Sequence, residues 1–206
     1  PSLPDELAGG NVNSEDMAVL IDENIDDFFG IGEMMNMPGV IDADPETLAR
    51  IELRHRLRSG VCDGHAPGLT TEEMDAYALA GISADHECNT SDQAPARISR
   101  GMYVMAREGT CSHDADAILP LVREDPRLAN RVCLCTDDRS SSDAIDIGMV
   151  DNVVRRAVLL GIDPIDAISM ATLTPAVLFG IDRPGENPGI GSIAPGRRAD
   201  LLVMEN

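Results

Sequence analysis

The chain has 206 residues, of which 43% are hydrophobic, so it can bury a core and is not an intrinsically disordered chain. It carries 36 acidic residues against 16 basic ones, all of them arginine, which gives a net charge of -20. Nucleic acid and anionic membranes both need a basic surface on the protein that binds them, so we predict neither as a partner.

Short apolar stretches with strand character alternate with stretches of helical periodicity. In the first half of the chain we predict a helix over 17–25, a strand over 28–34, a helix over 45–57 with Asp44 as its N-cap, a strand over 61–63 and a helix over 70–80. Strands over 82–84 and 102–105 follow, then a helix over 114–121 and a strand over 131–135. The last predicted elements are helices over 152–160 and 164–172 and a strand over 199–204. This alternation predicts an α/β fold with a parallel sheet and helical crossovers. No glycine-rich phosphate loop follows any strand, so a (β/α) barrel is favoured over a Rossmann-type sheet.

Side chains that can bind metal follow four of these strands: Glu33, His65, His86 and the pair Asp137-Asp138. Taken singly, each is more often a structural histidine or a solvated carboxylate. Together they form a pattern, because the carboxyl ends of parallel strands meet at one edge, where a barrel places its active site. Histidine with carboxylates suits a divalent ion such as Mn, Fe or Zn better than Mg or Ca.

Both strand-end histidines have acidic neighbours, in 63–65 (Asp-Gly-His) and 85–87 (Asp-His-Glu). An acid beside a ligating imidazole can hold its second nitrogen and fix its tautomer. His55, between two arginines of a predicted helix, and His113, in a loop, are interpreted as surface residues.

The five cysteines, together with the lack of a signal pattern, predict reduced thiols in the cytoplasm. Cys133 and Cys135 form a Cys-x-Cys pair that is able in principle to bind metal. They alternate with Val132 and Leu134, and the favoured interpretation is a buried strand in which cysteine acts as a small apolar residue. No apolar run reaches the roughly 20 residues of a membrane span.

Several segments resemble motifs of adenine deaminases, which belong to the amidohydrolase superfamily. The segments that carry the resemblance are 32–40, 63–69, 85–87, 101–109 and 135–139, with 171–176 and 191–201 in the tail. The last of these is shared across amidohydrolases, whereas the middle segments are typical of adenine deaminases.

The resemblance implies a partial (β/α)8 TIM barrel of the amidohydrolase type, comprising about strands four to eight over 1–180. It also implies a return segment of a small β-domain over 181–206, which the strand over 199–204 would enter. The implied activity is hydrolysis of adenine at carbon 6 by metal-activated hydroxide, which yields hypoxanthine and ammonia in purine salvage and adenine catabolism. The implied cofactor is a binuclear divalent centre, with Mn²⁺ favoured and Fe²⁺ or Zn²⁺ as alternatives.

The same resemblance assigns roles to individual residues of this sequence. Glu33 would bridge the metals, His65 and His86 would bind them, and Asp137 would bind metal and accept a proton as a catalytic residue. Glu87 is the candidate for proton delivery to the purine ring. Asp138 is expected to contact the imidazole side of the purine, and Arg107 and Glu108 are expected to shape the rim of the substrate pocket.

The sequence departs from the family pattern in three respects. The His-x-His pair that amidohydrolases supply from their first strand is absent from the 206 residues, which suggests a chain beginning near the end of strand three. Met149 stands where histidine is expected, and Met37 replaces an expected phenylalanine. We therefore predict a homo-oligomer or a need for the missing N-terminal portion.

Two other functions remain open from the sequence. One is a different amidohydrolase that acts on a cyclic amidine or amide. The other is a truncated, non-catalytic remnant that needs a partner chain. Retention of Glu33, His65, His86 and Asp137 together argues against the remnant, whereas Met149 leaves room for it.

The acidic composition indicates adaptation to high salt, because dissolved ions screen the repulsion among the carboxylates. We expect the melting temperature to rise between 0.1 M and 2 M KCl, as followed by circular dichroism. A melting temperature that stays constant or falls with salt would contradict this hypothesis.

Overall fold

Five strands form one parallel sheet in the computed structural model, which describes residues 10–183 and 189–204. The strands are β1 (Ile31–Met34), β2 (Cys62–Gly64), β3 (Ala84–Asp85), β4 (Tyr103–Arg107) and β5 (Val132–Cys135). Their spatial order is the chain order, and each neighbouring pair is parallel. The prediction of an α/β fold with a parallel sheet is confirmed.

Helices occupy the connections between these strands. The described residues contain α1 (Ser14–Glu23), α2 (Met37–Ile41), α3 (Pro45–Glu52), α4 (Thr71–Leu79), α5 (Gln93–Ile98), α6 (Ala115–Glu124), α7 (Ser141–Asp146), α8 (Val150–Leu159), α9 (Pro164–Ala171) and α10 (Leu173–Leu178), with 3₁₀ turns at Leu53–Arg56 and Pro126–Asn130. The helices α2, α5, α7 and α10 were not predicted, because five or six residues are too few to show a helical period.

Side-chain caps fix where two of the predicted helices begin. The Asp44 carboxylate accepts from the backbone N–H of Thr47, and Pro45 occupies the first turn of α3. At α4 the Thr70 hydroxyl and the Glu73 carboxylate each accept from the other's backbone N–H, which forms a capping box. Local sequence thus specifies where these two helices begin.

The predicted strand over 199–204 is wrong. This segment has no regular secondary structure, and its apolar side chains are exposed, with Val203 98% accessible. A strand needs a neighbour to satisfy its backbone groups, and none lies beside this segment in the described part of the chain. The strand over 28–34 is also shorter than predicted, since Phe28 and Phe29 precede it and are partly exposed.

The core lies between the sheet and its covering helices. Met74, Tyr77 and Ile51 pack near β1 and β2, whereas Ile118 and Met170 pack near β4 and β5. With tryptophan absent, aliphatic and methionine side chains supply most of this apolar burial. Within the described ranges no helix has the length and apolar character needed to cross a membrane.

The prediction of a buried Cys-x-Cys strand is confirmed for Cys133, which is 2% exposed, whereas Cys135 at the end of β5 is partly exposed. All five cysteines are free thiols. Burial raises the pKa of Cys62, Cys88, Cys133 and Cys135 to about 12. These four thiols therefore remain protonated at neutral pH, and Cys111 is the exposed one.

We expect one cysteine, Cys111, to react rapidly with Ellman's reagent in the folded protein, because the thiolate is the reactive form and the raised pKa of the other four thiols keeps them protonated. Absorbance at 412 nm follows the reaction, and denaturant should release the remaining four thiols. Cys111→Ser should abolish the rapid phase. A rapid phase that survives this substitution would show that a second thiol is accessible.

Candidate metal centre

Three of the predicted ligands converge at the carboxyl ends of β1, β2 and β3. Glu33 lies on β1, His65 directly follows β2, and His86 directly follows β3. One potential ligand atom from each of the three lies within 4.8 Å of the others. Bonds to a divalent ion are about 2.0–2.2 Å long, so ligand atoms of one ion lie roughly 3–4 Å apart. A small adjustment of these side chains would thus suffice to bind one ion.

The contact between His65 and Glu33 indicates that the two side chains would bind a common cation rather than each other. Nδ1 of His65 lies 2.6 Å from Oε1 of Glu33, yet the two groups lack the alignment of a hydrogen bond. This imidazole nitrogen is fully buried and has no hydrogen-bond partner. Burying a polar atom without a partner is costly, and a cation between the two atoms would satisfy both.

A second group of potential ligands adjoins the first and shares His86. Atoms of His86, Glu87 and Asp137 lie within 4.8 Å of one another. Asp137 follows β5 in an unusual turn, in which it and Asp138 have positive φ angles of 36° and 41°. Aspartate tolerates this left-handed conformation better than most residues. The turn also requires Gly109, because a side chain there would collide with the carbonyl oxygen of Asp137.

His86 is oriented by an acid from the neighbouring strand. Its Nδ1 lies 3.1 Å from Oδ2 of Asp63, which leaves Nε2 facing Glu33 at 3.2 Å. Burial lowers the pKa of His86, but the hydrogen bond to Asp63 and the surrounding carboxylates outweigh it and raise that pKa to about 9. The sequence suggested that each histidine is supported by its own neighbours, whereas Asp63 supports His86 across the sheet.

Asp85 faces away from this cluster and into the core. Its side chain is completely buried, and Oδ2 accepts from Nε of Arg97 at 2.7 Å. Oδ1 accepts from the backbone N–H of Ala66 at 2.9 Å, and the Arg97 guanidinium also donates to the Ala66 carbonyl. Asp85 and Arg97 therefore tie the loop after His65 to the loop that carries His86. Sequence reasoning missed Arg97, which lies on a short helix without a motif.

Arg107 lies within the cluster rather than at a rim. Its guanidinium donates to both carboxylate oxygens of Glu87, to Oδ2 of Asp137 at 2.8 Å and to Oδ2 of Asp114 at 2.5 Å. Burial works against its charge, but these hydrogen bonds outweigh burial and raise the pKa of Arg107. The residue is therefore a permanent cation that offsets three carboxylates and holds Glu87 in one orientation.

The remaining candidates lie outside this contact network. Glu108 is buried, and its Oε1 contacts Nδ1 of His113 at 2.6 Å. Asp138 and Met149 are exposed, the latter as the N-cap residue of α8. The predicted surface positions of His55 and His113 are confirmed. Arg139 links the loops by donating to the carbonyls of Glu108, Gly109 and Gly148.

Similarity to known proteins assigns the chain to a family. A sequence model of the amidohydrolase family matches residues 18–206. The chain belongs to the amidohydrolase family. Among curated proteins it is similar to the adenine deaminases of Thermosipho africanus, at 38% identity, Desulfatibacillum aliphaticivorans, at 40%, and Dehalococcoides mccartyi, at 40%.

These alignments cover 99–100% of this chain but 34% of each of the three relatives. The amidohydrolase chain thus spans about a third of the length of the curated relatives that it matches. The resemblance to adenine deaminases seen in the sequence motifs is confirmed at the level of the family and of these relatives.

We expect Arg97→Met to destabilise the fold by about 3–5 kcal/mol, because it leaves the buried Asp85 carboxylate without its cation. Urea denaturation followed by circular dichroism measures the loss. Arg127→Met is the matched control, since it removes an exposed arginine paired with Asp125, where water screens the charges. Equal midpoints for Arg97→Met and the unsubstituted protein would show that the buried pair is not important for stability.

Proposed function

We propose that this chain supplies the greater part of the metal site of an adenine deaminase, which hydrolyses adenine to hypoxanthine and ammonia. The observation that carries the proposal is the convergence of Glu33, His65 and His86 on one point, with Asp137 beside them. The similarity to proteins named adenine deaminase supports the choice of substrate.

We further propose that the five parallel strands are about strands four to eight of a (β/α)8 barrel. In this proposal residues 1–180 belong to the barrel and residues 181–206 to the return segment of a small β-domain. The two outer strands, β1 and β5, each pair on one side only within the described residues. The remaining strands, and the His-x-His pair absent from this sequence, would come from an N-terminal portion. A homo-oligomer is the alternative to this requirement, and a cytoplasmic location is part of the same proposal.

The residues present fit a divalent metal. The unpartnered Nδ1 of His65 and the excess of carboxylates over cations both favour a dication at this place. In the proposal Glu33, His65, His86 and Asp137 hold a binuclear centre, with Mn²⁺ favoured over Fe²⁺ or Zn²⁺. When bound, such a centre supplies Lewis acidity that lowers the pKa of water to near neutrality.

The side chains of this chain would then orient adenine and move protons. Asp137 would accept a proton from the attacking water, a role that suits a carboxylate held by Arg107 at 2.8 Å. Glu87, fixed by the same guanidinium and 3.4 Å from Nδ1 of His65, would deliver a proton to the purine ring. Asp137 would then pass its proton to the amino group, which leaves carbon 6 as ammonia. The hydroxyl left on carbon 6 would return a proton to Glu87, which forms the carbonyl of hypoxanthine and restores both carboxyl groups. Asp138, being exposed, is available to contact the imidazole side of the purine.

Activity of the intact protein on adenine tests this proposal. With Mn²⁺ supplied, we expect loss of the adenine absorbance and formation of hypoxanthine, detected by chromatography. Asp137→Asn should lower kcat by at least about 100-fold, because an amide cannot accept the proton. Asp146→Asn, on the exposed helix α7, is the matched control and should leave kcat unchanged.

A panel of purines and cyclic ureas distinguishes adenine deamination from another amidohydrolase activity. Turnover of a cyclic urea with no turnover of adenine would overturn the substrate assignment. Absence of stoichiometric metal, together with no gain in stability on addition of Mn²⁺, would favour a non-catalytic remnant.

A further inference from the structure

The hydroxyl of Tyr77 joins the ends of the two strands that carry Glu33 and His65. Tyr77 lies on α4 and is completely buried. Its hydroxyl donates to the Met34 carbonyl at 2.8 Å and accepts from the backbone N–H of His65 at 3.0 Å. A hydroxyl is suited to this position because it can donate and accept at the same time. Glu33 is adjacent to one of these contacts, and His65 makes the other.

The hydroxyl occupies the place of a direct bond between the strands. Met34 pairs with Gly64 after a register shift in β1. In one of the two hydrogen-bond patterns of a parallel pair, the residue after Gly64 would donate its N–H to the carbonyl of Met34. Here the N–H of His65 and the carbonyl of Met34 meet on opposite sides of the Tyr77 oxygen instead. The Tyr77 oxygen thus links the two strand ends at the point where the site begins.

Gly64 allows the tyrosine ring to reach this point. A Cβ atom at position 64 would lie 3.0 Å from Cε1 of Tyr77 and 2.7 Å from the carbonyl oxygen of Ala84. Both distances are shorter than ordinary van der Waals contacts, so a side chain at Gly64 would push the ring away or distort β3. The absence of a side chain therefore sets how close helix α4 approaches the sheet.

We propose that Tyr77 is a positioning residue that sets the separation of Glu33 and His65 at the metal site. The proposal rests on the proposed metal-dependent function, since it assigns a purpose to the geometry of two of the ligands. Removal of the hydroxyl would let the Met34 carbonyl and the His65 N–H approach each other directly. The ends of β1 and β2 would then move closer together, and the separation of Glu33 and His65 would change.

The substitution Tyr77→Phe in the intact protein tests this role, because it deletes one oxygen and keeps the buried ring. We expect the affinity for Mn²⁺, measured by isothermal titration calorimetry, to fall about 10- to 100-fold, as is usual when a residue that orients metal ligands is lost. The Mn²⁺ electron paramagnetic resonance spectrum should change as well. Tyr103→Phe is the matched control and should leave both unchanged, since Tyr103 lies at the other end of β4 from Arg107, where it contacts Arg131.

A melting curve in EDTA separates positioning from packing. Lower stability with unchanged Mn²⁺ affinity would assign Tyr77 a packing role and overturn the proposal. If the variant does not fold, amide hydrogen exchange in the unsubstituted protein shows whether Tyr77 joins the two strand ends. The reference is the amide of Val104, which donates to the Arg131 carbonyl. Equal protection of the His65 amide supports the proposal that Tyr77 joins the strand ends, whereas exchange at the rate of an open loop overturns it.

The same measurement separates this proposal from the proposed function. If the unsubstituted protein binds no Mn²⁺, the metal-dependent function fails. Exchange at the His65 amide then tests Tyr77 independently of metal. Faster exchange in Tyr77→Phe than in Tyr103→Phe would retain the role of Tyr77 in joining the strands, and equal exchange in the two variants would refute it.

Discussion

Parallel pairing of β1 to β5 brings the carboxyl ends of all five strands to one edge, and almost every feature of the site follows from that constraint. Glu33, His65, His86, Arg107 and Asp137 each lie at or just beyond such an end. No two of them lie within twenty residues of each other in sequence. The sheet therefore brings side chains that are far apart in sequence to within about 3 Å of each other. Glu33 and His86, for example, lie 3.2 Å apart.

Gathering carboxylates at one edge creates a repulsion that the fold must offset. Arg107 offsets it within the cluster by pairing with Glu87 and Asp137, and Arg97 offsets it in the core by pairing with Asp85. Burial lowers the pKa of His86, but the hydrogen bond to Asp63 and the nearby carboxylates raise it to about 9, which is consistent with a remaining negative potential. A divalent cation would reduce that potential further, so the electrostatics and the geometry of the site favour the same ligand.

Local signals accounted for much of the fold. Caps and prolines located α3 and α4, and short apolar runs located the five strands to within a few residues. The missed and wrong predictions share a cause, because the interactions that determine these segments are not local in sequence. Four short helices depend on packing rather than on a period, and an apolar segment at 199–204 remains irregular because no strand lies beside it in the described residues. Propensity alone does not distinguish a strand from an unpaired apolar segment.

The sequence by itself determined the family, the α/β class and the identity of the principal metal-binding candidates, because these depend on residue type and on position after a strand. The tertiary structure alone decided which groups support them. Asp63 orients the histidine of the next strand, Asp85 turns inward to Arg97, and Tyr77 reaches from α4 to separate two strand ends. Such assignments depend on strand register and on the direction in which each side chain leaves its strand. Those quantities are fixed only when the sheet is assembled and packed.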